Sequence, residues 1–284
     1  MQKVAVVTDS ISCLPRELAD QYNITVIPVN LYVGGKLYRD GVDITASEAY
    51  ELFLHDPESF KTSAPSPGEC LQAFRKASEW ANNIICITVS KKLSMVYNSS
   101  LDAKEIALDE LRETQIEVLD SLTATTSEGM VVLAAARAVS AGKALDEVLN
   151  TAKEIRDKVD TVVLLDTIRH VYRSGRIPKI ASQVGSMLNV RPLLTIHEAV
   201  HFIGAVRNRE HGIKHILDMV RAKVKDKPVR ISVMHAYAPG EAEKLMQQVA
   251  REFNCIELWL GEFSPVMGYT CGTGTLGIGF YPEE

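Results

Sequence analysis

Four short β-rich runs in the chain end in hydroxyl or acidic residues: Val4–Ser10 (VAVVTDS), Ile85–Ser90 (ICITVS), Ile116–Ser121 (IEVLDS) and Val162–Thr167 (VVLLDT). The first three lead through polar loops into helix-like stretches, such as Leu14–Asn23 and Ser99–Thr114. Residues 127–159 keep a helical periodicity that breaks near Gly142. Apolar strands alternating with helices predict a parallel sheet covered on both faces. In such sheets ligands bind past the carboxyl ends of the strands, where helix N-termini direct N–H groups outward. The hydroxyls fall at those ends. A Ser there is an ordinary helix cap, and several together also fit a site for a carboxylate or phosphate.

The second half has a different pattern. Residues 229–236 form a strand pattern, Glu241–Phe253 a helix, and residues 256–260 and 276–281 further strands. The segment Leu193–Arg207 fits a hairpin or a helix. The expected fold is α/β with two domains: a parallel-sheet α/β domain over residues 1–160, and an α+β domain with a mixed, partly antiparallel sheet over 161–284.

Composition narrows the function classes. The 284 residues are 46% hydrophobic and 24% charged, enough for a core and unlike a disordered or fibrous chain. The net charge of −5 argues against a nucleic-acid binder. No run of 18 apolar residues is present, so no membrane-spanning helix is expected. The start, MQKVAVVTDSIS, leads into a strand and not a signal peptide. Cys13, Cys70, Cys86, Cys255 and Cys271 are odd in number and lack CxxC spacing, against disulfides and a cysteine-built zinc site. The expectation is a cytoplasmic protein. Charge is unevenly divided: residues 1–160 carry a net −8 and residues 161–284 a net +3. Within the basic half, Arg169, Arg173 and Arg176 fall at i, i+4, i+7, one face of a helix. That face is a solvated surface, a docking site for an acidic partner or an anion site at a domain edge.

Two motif matches have weak context. His197-Glu198-Ala199-Val200-His201 fits the H-E-x-x-H zinc pattern, which needs both imidazoles on one helical face. Arg207 stands where the longer zincin pattern needs a third His, and with the many β-branched residues nearby a hairpin turning at 197–199 fits as well as a helix. Gly272-Thr273-Gly274-Thr275-Leu276-Gly277 fits GxGxxG, but the sequence leaves no room for the helix and acid that a dinucleotide site requires. No Walker A sequence is found.

An ordered set of motifs resembles the DegV family of lipid-binding proteins, which includes the fatty-acid-binding subunits of bacterial fatty acid kinase. They are Thr8-Asp9-Ser10 with Leu14-Pro15, Thr62-Ser63-Ala64-Pro65-Ser66-Pro67, Leu93-Ser94-Met95-Val96-Tyr97, Asp120-Ser121, Ser174-Gly175-Arg176-Ile177, Asn189–Leu194 and the glycine-rich Pro265–Gly277. The resemblance implies a two-domain α/β fold holding a long-chain fatty acid as ligand, with no cofactor and no catalytic residues of its own. It places the carboxylate near Thr62, Ser63 and Ser94, and Arg176 at the mouth where an ATP-dependent kinase subunit would act, with a transient membrane contact as a further partner. Hydroxyls suit a buried carboxylate because they donate hydrogen bonds without adding charge. Burying about 14 methylenes contributes on the order of 11 kcal/mol before ordering costs. Thr270 stands where the family often has a His, and Met95 replaces the Gly of L-S-G-T-Y, its side chain expected in the pocket. A zinc hydrolase using His197, Glu198 and His201, and a module binding another small anion at Thr62 and Ser94, are the alternatives.

Overall fold

A computed structural model describes residues 3–168, 170, 175, 176 and 190–283 of the chain. Strand β1 (Val4–Asp9) is buried along its whole length, as a strand covered on both faces must be. Helix α1 (Arg16–Gln21) and the short β2 (Thr25–Ile27) follow. The chain then forms a small antiparallel sheet that the sequence reading did not contain. Its strands β3 (Asn30–Val33) and β4 (Lys36–Arg39) turn tightly through Gly34 and Gly35, both at positive φ, which glycine adopts without steric cost. Helix α2 (Ala46–His55) precedes the third strand, β5 (Phe60–Ser63), and the strand order is β4-β3-β5.

The parallel sheet resumes with α3 (Pro67–Ser78), β6 (Asn83–Thr88), α4 (Val96–Glu110) and β7 (Gln115–Asp120). Its order is β2-β1-β6-β7, all parallel. Helices α5 (Thr125–Ser140) and α6 (Leu145–Lys158) then occupy the stretch where periodicity broke near Gly142. The second sheet comprises β8 (Asp160–Leu164), β9 (Arg191–His197), β10 (Ala199–Val206), β11 (Val229–His235), β12 (Cys255–Glu262) and β13 (Leu276–Pro282). Helices α7 (Arg209–Val224), α8 (Pro239–Glu252) and α9 (Pro265–Cys271) connect them. Its order is β10-β9-β8-β13-β11-β12, antiparallel except for the β11–β12 pair. The fold is therefore two-domain α/β, with one parallel and one mixed sheet.

Helix α5 lies between the two sheets. Its Met130, Val131, Val132 and Leu133 are at most 1% exposed and share one core with Val4, Val6, Ile85 and Ile87 of the first sheet and Trp259 and Tyr281 of the second. Burying such side chains is worth roughly 1.5–3 kcal/mol each. The polar first turn of α5 meets the mixed sheet through buried hydroxyls: Thr161 Oγ1 donates to Ser127 Oγ at 2.7 Å and Ser232 Oγ to Thr126 Oγ1 at 2.6 Å. Gly279 makes that approach feasible, since a Cβ there would lie 2.5 Å from Ser127 Oγ. Among the described residues no helix is long and apolar enough to cross a membrane.

Candidate functional site

The strand-end residues singled out by sequence fix loops by bonding to backbone. Asp9 is fully buried; its Oδ1 accepts from the Ile11 N–H at 3.0 Å and its Oδ2 from the Val89 N–H at 2.9 Å. One side chain thus ties the loop after β1 to the loop after β6. Burial pushes its carboxyl up to about 6, against the pull of those two N–H donors. Ser10 Oγ accepts from Val29 N at 3.1 Å, and Asp120 Oδ1 from Leu122 N at 2.9 Å. The Ser66 of the Thr62–Pro67 motif caps α3: its hydroxyl accepts from Glu69 N, and Glu69 accepts in return from Ser66 N at 2.7 Å, with Pro67 opening the helix.

Ile11, Val29 and Val89, the residues these bonds position, form one wall of a cavity that encloses about 730 Å³ of atom-free space, part of it open to solvent. The opposite wall comes from Val163 on β8, Leu194 and Ile196 on β9, and Val200 on β10. Helix α9 adds Val266, Met267, Thr270 and Cys271. Its start is fixed by Ser264, whose hydroxyl donates to buried Asp40 at 2.5 Å and accepts from Val266 N. Tyr50 backs the helix: its hydroxyl donates to Phe263 O at 2.8 Å, and its ring lies where a Cβ on Gly268 would be, 2.2 Å away.

Among the described residues, the polar side chains of the lining include Thr62 and Ser63 at the end of β5, Ser94 in the loop after β6, Thr270 and Arg176. The fold brings these five sequence-predicted residues, from four separate stretches of the chain, to one cavity. Arg176 is exposed and its Nε donates to Leu93 O at 3.3 Å, beside Ser94. Met95 is the exception. It is 61% exposed and does not line the cavity, because it stands just before the first turn of α4 with its side chain in solvent. Arg169 and Arg173 lie outside the described residues. Cys271 lines the cavity, but burial pushes its thiol up to about 12, which keeps it protonated and poorly nucleophilic. The apolar lining residues were not singled out by sequence, since cavity and core positions share one pattern.

The two competing motifs resolve structurally. His197 and His201 sit on a β-hairpin that turns at Glu198 (φ +56), not on a helical face. His201 Nε2 lies 3.0 Å from the carbonyl of His197, and Glu198 pairs with Lys92. Among the described residues no group of three or more His, Cys, Asp or Glu is arranged to hold a metal ion. Gly272, Gly274 and Gly277 follow α9 and enter β13 in place of joining a strand to a helix. Each permits close packing: a Cβ would approach His170 at Gly272, Asp166 at Gly274 and the Val162 carbonyl at Gly277.

Comparison with known proteins agrees with this architecture. The chain is 34% identical to a DegV domain-containing protein of Caldanaerobacter subterraneus over 78% of each chain. It is 29% identical to a DegV domain-containing protein of Clostridium perfringens over 99% of each. A solved Thermus thermophilus DegV family protein, described by its fatty acid binding, matches with a TM-score of 0.90 and 28% identity over the whole of both chains. A stearic acid-binding protein of Eubacterium ventriosum matches with a TM-score of 0.90 and 25% identity over 99% of this chain and 98% of that one. The family model described as "Uncharacterised protein, DegV family" matches residues 3–283, and the chain belongs to that family.

Proposed function

We propose that this protein binds a long-chain fatty acid in the cavity between its two sheets. The observation that carries the reading is an apolar cavity whose polar lining, among the described residues, is hydroxyls, the Cys271 thiol and the exposed Arg176. An acyl chain gains affinity by burying methylenes against Ile11, Val29, Leu194, Ile196 and Val266. The carboxylate is held by Thr62, Ser63 and Ser94, with Thr270 donating where family members often carry a His. Fatty-acid binding by the similar Thermus and Eubacterium proteins supports the ligand class. In this reading the chain divides into domains 1–160 and 161–284, meeting where β8 begins. It is a non-catalytic carrier in the cytoplasm, where its five free cysteines stay reduced. Arg176, exposed beside Ser94, marks the mouth at which a separate ATP-dependent kinase would take the carboxylate and form an acyl phosphate; the basic residues Arg169 and Arg173 extend that docking face. Mass spectrometry of an organic extract of the purified protein tests the ligand: a stoichiometric fatty acid is expected, and its repeated absence would overturn the reading. Replacing Thr62 and Ser94 together by Ala removes two donors to a charged group. Affinity for the fatty acid should fall about 100-fold or more, at roughly 1.5–3 kcal/mol per bond.

A further inference from the structure

At the carboxyl end of β1 lies a group of buried acids that the lipid reading does not use. Asp9 and Glu128 are both fully buried, and Asp40 is 7% exposed. Glu128 is in the first turn of α5, with its carboxyl in hydrogen-bonding contact with that of Asp9. Its Oε1 accepts from Thr8 Oγ1 at 3.4 Å, while its Oε2 receives no hydrogen bond among the described residues. Two ionised carboxylates accept only and repel, so their contact requires a proton between them. An oxygen without a donor is also tolerated far better on a neutral acid than on a buried ion. Asp9 already uses both oxygens to accept from Ile11 N and Val89 N, an arrangement that favours its ionised form. The proton therefore belongs to Glu128.

We propose that Glu128 is a neutral carboxylic acid that donates to Asp9, and that this shared proton holds the Ile11 and Val89 segments as a wall of the lipid cavity, so that its loss at alkaline pH loosens the wall and releases lipid. The surrounding groups reinforce the state. Asp40 at the end of β4 acts on Asp9, and Asp120 at the end of β7 acts on Glu128, both opposing further negative charge. Asp120 faces Lys91 at 3.8 Å. The other ionisable neighbours are the thiols of Cys13, Cys70 and Cys86 and the Tyr50 hydroxyl near Cys13 and Asp40; burial keeps all four in their neutral forms. Burial and Asp9 likewise push Glu128 well above the usual carboxylate range. When hydroxide removes the proton as water, two facing carboxylates remain. Asp9 then moves off one or both N–H groups.

The consequence for lipid rests on the fatty-acid reading, whereas the shared proton does not. Infrared spectra of the wild type at neutral pH should show the carbonyl stretch of a buried neutral carboxylic acid, which Glu128→Gln removes; absence of that band from the wild type overturns the proposal. Lipid retention is then followed with a fluorescent long-chain fatty acid across rising pH. Off-rates of the wild type should rise at least tenfold as the band disappears. Glu128→Gln, whose amide still donates to Asp9, should hold its lipid through the same range. An off-rate indifferent to loss of the band overturns the positioning role. Should the protein take up no fatty acid at any pH, the lipid reading fails by itself. Amide hydrogen exchange at Ile11 and Val89, corrected for intrinsic base catalysis, then decides: exchange must accelerate as the band is lost, and unchanged protection overturns the proposal. The wild-type titration requires no variant to fold.

Discussion

The cavity has two walls built by different physics. The wall of Ile11, Val29 and Val89 is loop, positioned by side-chain oxygens of Asp9 and Ser10 that accept from the loops' own N–H groups. The facing wall is strand and helix, with Val163, Leu194 and Val200 in ladder-bonded β8–β10 and α9 wedged against Tyr50. The first depends on the protonation of buried carboxyls. The second depends on volume and shape. A volume change should therefore cost most on the strand-and-helix side, and a charge change most on the loop side.

The largest effect is expected from Tyr50→Ala. It empties the space that α9 packs against, removes the stack on Tyr237 at 5.4 Å and leaves the Phe263 carbonyl without its donor. Large-to-small changes of a buried aromatic cost about 3–5 kcal/mol. Urea unfolding should show that loss with little dependence on pH. Tyr50→Phe should lose only about 1 kcal/mol, the share of the hydrogen bond.

The loop wall should respond in the opposite manner. Asp9 has its pKa raised on folding, so the folded state binds the proton more tightly than the unfolded one. Stability from that difference is complete below the unfolded value of about 4 and is lost as pH rises through about 6, on the order of 3 kcal/mol at 1.36 kcal/mol per unit. Asp9→Asn abolishes that slope but turns an amide N–H toward Ile11 or Val89, leaving a buried donor unmatched at about 1–3 kcal/mol. Urea midpoints at several pH values between about 4 and 7 distinguish the cases. A wild type whose stability climbs steadily over that range would place Asp9 outside this role.

The same contrast governs what was legible in the sequence. The runs at β1, β6, β7 and β8 were readable because buried strands are continuous apolar stretches ending in hydroxyls, as in Val4–Ser10. The hairpin at 197–199 was legible only as one of two options, because its β-branched flanks fit a hairpin and the segment's length fits a helix equally well. The β4-β3-β5 sheet was not, because its strands are four residues long and Lys36–Arg39 is mostly exposed, with no apolar alternation to detect. Its Gly34-Gly35 pair was a usable turn signal. The motif hydroxyls Thr62, Ser63 and Ser94 could be nominated in advance. Val29, Val163 and Val266 could not, because a valine facing a cavity and one facing the core obey the same periodicity. Glu128 was hidden for a related reason: an acid in the first turn of a helix is usually a solvated partner of the helix dipole, and only tertiary structure shows that this one is buried against Asp9.

The smallest effect tests where the walls meet. Glu198, at the tip of the β9–β10 hairpin, crosses to the loops of the parallel sheet: its N–H donates to Leu122 O at 2.5 Å, its carbonyl accepts from Ser90 Oγ, and its carboxylate pairs with Lys92. It does so with φ at +56, a conformation that costs a non-glycine residue about 1–2 kcal/mol. Glu198→Gly removes that strain but forfeits the ion pair, worth roughly 0.2–1 kcal/mol at such exposure, and adds about 0.5–1 kcal/mol of unfolded-chain entropy. The terms nearly cancel, so stability should change by no more than about 0.5 kcal/mol. Lys92→Ala loses the ion pair without relieving the strain and should be slightly worse than Glu198→Gly; salt, which screens the pair, should shrink the loss in both variants alike and leave the gap between them. A loss above about 2 kcal/mol in Glu198→Gly would mean that the carboxylate, more than the backbone bonds to Ser90 and Leu122, joins the two walls.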